Sequence, residues 1–168
     1  MKTTPWMALA AVLAGAMVPL AMTPAAHAAE RAATLGPNGY RALKLGMTAA
    51  QARRTGLVVR KKAGDSASCT SYDLKDERYG NNRVGMYVSN RHGVAVIVAP
   101  RGVKTPQGIR VGSTRTQLKA AYPKLRRGPY GYPAADVPGN KRAFYIFDVK
   151  NNRVAGMSLV LNKQDCVK

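Results

Sequence analysis

Apolar and polar residues alternate along residues 153–161. Ala155, Met157, Leu159 and Leu161 fall on one face and Ser158 on the other, the period-two pattern of a half-buried strand. Segments 68–74, 84–89, 94–99 and 142–149 read in the same way. Turn chemistry separates them: "NNRVGM" begins at Asn81, "NNRVAGM" at Asn151, and "SNRHG" closes on Gly93. Both Asn-Asn strings predict the turn and first strand residues of a hairpin.

Two stretches switch to helical punctuation. "LKLGMTAAQARRTG" runs from Leu43 and "IRVGSTRTQLKAAYP" from Ile109, and in register Gly46 falls on Gly112, Thr48 on Thr114 and Gln51 on Gln117. Thr-x-x-Gln is a capping box, in which the threonine hydroxyl accepts from a backbone N–H three residues on and the glutamine returns the bond. Each glycine lets an extended approach turn sharply into the helix. Gly56 stops the first helix and Pro123 the second. Helix followed by hairpin, twice, predicts an internal duplication. The expected fold class is therefore α+β: two tandem helix-plus-antiparallel-strand repeats, residues 41–100 and 107–168, forming one sheet with the helices packed on one face.

The units opening on Gly46-Met47-Thr48 and Gly112-Ser113-Thr114 resemble the β-lactamase-inhibitory protein fold and the small outer-membrane assembly lipoproteins of the SmpA/OmlA type. The resemblance covers residues 43–166 and extends to secreted actinobacterial proteins without an assigned role. It implies a concave sheet face left to bind protein, where Tyr72, Tyr87 and Tyr145 would make the contacts of an inhibitor or envelope assembly adaptor. The chain departs from those inhibitors in having one cysteine per copy and a strong positive charge.

The N-terminus reads as a targeting segment. Lys2 precedes the apolar run 6–22, and Ala26-His27-Ala28 is a cleavage signal, so residues 1–28 are expected to be a signal peptide and 29–168 one secreted domain. The competing reading, a retained anchor, meets Gly15 and Pro19 within the run. With cleavage no transmembrane segment is expected, and the protein would be extracellular or loosely wall-associated. Cys69 and Cys166 would then meet oxidising conditions, where one disulfide is the default and free or intermolecular thiols the alternative.

Lysine and arginine number 27 against 8 aspartates and glutamates, a formal net charge of +19. Such an excess attracts polyanions. Catalytic signatures are missing: no G-x-S-x-G, H-E-x-x-H or P-loop occurs, and His92 reads as a turn residue. Two cysteines and His92 do not complete a tetrahedral metal shell without carboxylates. A non-enzymatic protein without cofactor or metal is the expectation.

The basic residues take part in the repeat. Arg53 falls on Lys119, Arg60 on Arg126 and Lys61 on Arg127, and Lys62 thickens the first group. If the copies pack symmetrically, these form two similar patches for an acidic partner, either a cell-wall polyanion or an acidic protein. Nucleic acid would be held only non-specifically. The segment 125–140, "LRRGPYGYPAADVPGN", reads as an irregular loop whose Tyr130 and Tyr132 offer contact area beside Arg126 and Arg127. Two plainer readings stand beside these: the charge serves solubility, and the two rings fold back onto the sheet edge.

Overall fold

The computed structural model describes residues 33–77, 79–80 and 83–167; the signal-peptide reading of residues 1–28 and the first Asn-Asn turn, Asn81 and Asn82, lie outside them. A small three-stranded antiparallel sheet opens the structure: β1 (Leu35–Gly36), β2 (Gly39–Tyr40) and β3 (Leu43–Lys44). Helix α1 (Ala49–Arg54) leads into β4 (Val58–Lys61), β5 (Cys69–Leu74), β6 (Met86–Ser89) and β7 (Gly93–Val98). Helix α2 (Arg115–Ala121) leads into β8 (Arg126–Arg127), a 3-10 turn (Pro129–Gly131), β9 (Pro133–Val137), β10 (Asn140–Lys150) and β11 (Arg153–Leu161).

The main sheet has eight antiparallel strands in the order β4-β5-β6-β7-β11-β10-β9-β8. Two meanders therefore meet at β7 and β11, in the register Ser158↔Val98 and Val160↔Val96. The strand segments read from alternation all form, to within a residue or two at their ends. Asn151 and Asn152 turn β10 into β11 with φ of 48° and 59°, the left-handed pair that a tight hairpin requires.

Both capping boxes are present. Thr48 Oγ1 accepts from Gln51 N at 3.2 Å and Thr114 Oγ1 from Gln117 N at 3.1 Å, with the glutamine oxygens returning to the threonine N–H groups at 2.9 and 2.8 Å. Gly46 and Gly112 precede them with φ of 82° and 93°, where a side chain would be strained.

The α+β expectation is overturned by the elements downstream of these starts. The helices are six and seven residues long and bury one residue each, Ala52 and Leu118, while strands dominate. The chain is mostly β, not a pair of helix-plus-strand repeats under a helical layer. A cap fixes where a helix begins and says nothing of its length. Gly56 and Pro123 end each within two turns, roughly 10 Å, against a sheet about 34 Å wide at a strand spacing of about 4.8 Å.

The principal core lies on the sheet face that carries the two helices, around Tyr72, Met86, Ile97, Tyr145, Phe147 and Leu159. Tyr122, from the end of α2, stacks against Tyr145 and Phe147 with ring centroids 5.9 and 5.4 Å away. A smaller cluster occupies the other face: Ala95, Val96, Ala134, Phe144 and Val160, with Cys166 and Val167 packed against it. The Cys69–Cys166 disulfide ties that C-terminal segment to β5. No helix among the described residues is long and apolar enough to cross a membrane.

Candidate functional site

Charge is distributed unevenly over this scaffold. Every described carboxylate except Asp165 forms an ion pair, and four of the six carboxylates concerned lie in the first half of the chain. Arg41 pairs with Asp76, Arg60 with Asp65 at 2.6 Å, Lys61 with Asp73 at 2.8 Å, and Arg101 with Glu77 at 3.5 Å. Arg60 and two hydrogen bonds from Ser71 hold the Asp65 carboxyl well below the usual carboxylate range, and the same pair raises Arg60. The Lys61 ammonium also donates to the carbonyls of Gly80 and Arg83. Arg53 donates to the Tyr72 hydroxyl at 3.2 Å. Of the first-copy candidates only Lys62 keeps its side chain in solvent without a partner among the described residues.

The two predicted patches do not come together. Arg60 lies on β4 and Arg126 on β8, the opposite edges of the sheet, about 34 Å apart at roughly 4.8 Å per strand. The matching of Arg53, Arg60 and Lys61 with Lys119, Arg126 and Arg127 is therefore a match in sequence without a common surface. The first group holds the fold together.

The second group has a different setting. A depression of about 290 Å³ between α2 and β8 is lined by Arg115, Leu118, Lys119, Arg126, Arg127 and Pro133, among others. Past the start of α2 it continues, through Arg115 and Lys119, into one of about 360 Å³ that includes Asn152 and Arg153. Arg153 and Thr114 in turn border a groove of about 1080 Å³ along the opposite flank of α2, with Lys104, Arg110 and Gln117. No carboxylate lines any of the three. Helical spacing explains the division: Gln117 and Ala120 face one groove, Arg115 and Lys119 the other.

Lys104, Arg110, Arg115, Lys119 and Arg127 are exposed, and their side chains make no ion pair or hydrogen bond among the described residues. Arg153 donates to Gly112 O at 2.9 Å, which fixes it at the junction of two grooves. Arg126 is the most engaged, 3.3 Å from Asp136 and over the Phe144 ring at 5.0 Å.

The expected tyrosine loop is largely sheet edge. Arg126 and Arg127 pair with Ala134 and Pro133 as β8 and β9, and only the 3-10 turn between them is irregular. Tyr130 is 70% exposed with φ of 53°, and Tyr132 is 38% exposed. Burial raises the Tyr87 phenol, and the Tyr130 phenol adds a smaller upward push. Tyr72 and Tyr145 are buried in the main core, Tyr145 donating to Leu35 O at 2.8 Å, so neither is displayed on a sheet face. His92 sits in the β6–β7 turn, its N–H bonded to Ser89 Oγ at 3.0 Å.

Lys104 and Arg153 escaped the sequence-based selection of site residues. One signal pointed to Lys104, though not to Arg153. No aspartate or glutamate occurs between Glu77 and Asp136, a stretch with eleven lysines and arginines. Comparison with protein-family models, curated proteins and solved structures finds no match. The reading of this surface rests on its own residues.

Proposed function

We propose that this chain is a secreted, non-enzymatic binding module that holds a linear polyanion of the cell-wall kind along the grooves around α2. The observation that carries the reading is the run of cations from Lys104 and Arg110, past Arg153, Arg115 and Lys119, to Arg127, with no lining carboxylate. Elsewhere the protein spends its few acids on ion pairs, so this surface keeps its charge. A path that passes from one flank of a helix to the other suits a flexible chain better than the flat surface of a folded acidic protein. The buried positions of Tyr72 and Tyr145 remove two of the three contacts that the inhibitor or adaptor reading requires.

The test is retention on immobilised long-chain polyphosphate across a salt series. R115E/K119E/R127E is expected to elute at much lower salt. The slope of log affinity against log salt should fall by about 2 to 3, at roughly 0.7 to 0.9 per neutralised phosphate. A charge-matched control, R54E/K62E/K75E, reverses exposed cations away from the grooves and should keep the wild-type slope. Equal losses in the two variants would reduce the surface to bulk charge and refute the site.

A further inference from the structure

A second basic groove lies at the other end of the β10–β11 hairpin. Its volume is about 580 Å³, and Lys44, His92, Lys141, Arg142, Leu161 and Lys163 contribute to its lining. Again no lining residue is a carboxylate. Asp165 is close in sequence, but its carboxylate lies 3.6 Å from Cys69 Sγ. Asn140 and Asn162 pin the surrounding backbone: Asn140 Nδ2 donates to Pro37 O at 2.8 Å, and Asn162 Nδ2 donates to Lys141 O at 2.8 Å. Lys44 Nζ is held by Arg41 O at 2.8 Å. The side chains of Lys141, Arg142 and Lys163 are exposed and make no ion pair or hydrogen bond among the described residues. The backbone is thus fixed while three cations stay available, in a groove that half-buried Leu45 and Leu161 also line.

The two surfaces share no lining residue. The surfaces approach each other at Lys104 and Asn38, linked by the Leu35 N–H that donates to Lys104 O at 2.9 Å, but their cations beside α2 and at the hairpin end are separated by the length of β11, from Arg153 to Leu161. Eight steps at about 3.4 Å give about 27 Å, several times the Debye length of about 8 Å in physiological salt. An anionic segment seated on Arg115, Lys119 and Arg153 therefore leaves the charge of Lys141, Arg142 and Lys163 unscreened by it, and both groups can be filled together.

We infer that the chain is bivalent: the groove of Lys141, Arg142 and Lys163 takes a second polyanion segment, and the protein bridges strands. The inference rests on the proposed reading of the α2 surface for its first site. Bridging adds effective concentration to each contact, so a polymer long enough to reach both sites is held more tightly than a short one.

Tripolyphosphate and long-chain polyphosphate separate the possibilities. Titration calorimetry of the wild-type protein with tripolyphosphate is expected to give two sites per chain. K141E/R142E/K163E should give one, while its retention on immobilised polyphosphate persists at moderately reduced salt. Light scattering with long-chain polyphosphate should rise for the wild type and for R54E/K62E/K75E, and stay flat for K141E/R142E/K163E. One tripolyphosphate site in the wild type, or scattering that survives in K141E/R142E/K163E, overturns bivalency and leaves the α2 reading standing. Failure of the wild type to bind either probe overturns both.

Discussion

Lys61 is the residue whose role the tertiary structure changes most, and K61A tests that change. Its side chain is only 13% exposed, Asp73 opposite is 22% exposed, and the two meet at 2.8 Å. The other Asp73 oxygen, Oδ1, is buried without a hydrogen-bond partner among the described residues. Truncating Lys61 therefore strands a largely buried carboxylate and releases the carbonyls of Gly80 and Arg83. Breaking a buried pair from one side costs about 3 to 5 kcal/mol, and residual solvent contact places this one near the lower figure. For a domain of this size about 3 kcal/mol corresponds to a Tm lower by roughly 10 °C. Calorimetric melts of K61A should show that drop. K62A, one residue along and exposed, should stay within about 0.5 kcal/mol of wild type. K61M/D73N removes both charges and should recover much of the loss, because the desolvation cost disappears with the attraction. Polyphosphate retention, measured well below the midpoint, should be the same for K61A and wild type. A K61A protein that melts like the wild type but elutes early would refute this structural role and return Lys61 to the binding surface.

The disulfide and the buried tyrosines give two more expected outcomes. The Cys69–Cys166 disulfide spans 97 residues, a loop for which the chain-entropy model gives about 4 to 5 kcal/mol. Melts with and without reductant, or of C69S/C166S, should differ by that order, and coincident melts would show that the tie adds nothing. Burial raises the phenols of Tyr79, Tyr145 and Tyr122, the last pushed up to about 12. Tyr122 donates its O–H to Gln107 Oε1 at 2.7 Å, a bond that the phenolate cannot make. The neutral form is favoured in the fold, so this stability is complete below the unfolded pKa of about 10 and is lost as pH rises from there towards 12. At about 1.4 kcal/mol per unit, Tyr122 alone accounts for about 2 to 3 kcal/mol. The melting midpoint should hold steady up to about pH 9 and fall above pH 10, less steeply in Y122F; a Y122F profile that overlays the wild type would count against this assignment.

Local chemistry was legible wherever a few neighbouring residues decide the outcome. Thr48 with Gln51 and Thr114 with Gln117 specify helix starts, Gly56 and Pro123 specify stops, and Asn151-Asn152 specifies a hairpin. Alternation from Arg153 to Leu161 specifies a strand, although its single buried face was not what formed, since Val160 is buried on the opposite face from Met157 and Leu159. These are short-range preferences of backbone and side chain, and the sequence determined them by itself, along with the charge excess and the carboxylate-free stretch between Glu77 and Asp136. Which cations remain available was decided by tertiary structure alone. Asp65 and Asp73 reach Arg60 and Lys61 only because β4 and the segment around β5 lie side by side, and Arg60 and Arg126 part company because their strands form opposite edges of one sheet. Strand order and register set these distances, and Coulomb attraction depends on distance in space. Matching Arg60 to Arg126 along the sequence was therefore no guide to whether they share a surface, whereas Lys104 and Arg115, which match no basic residue, share one with Arg153.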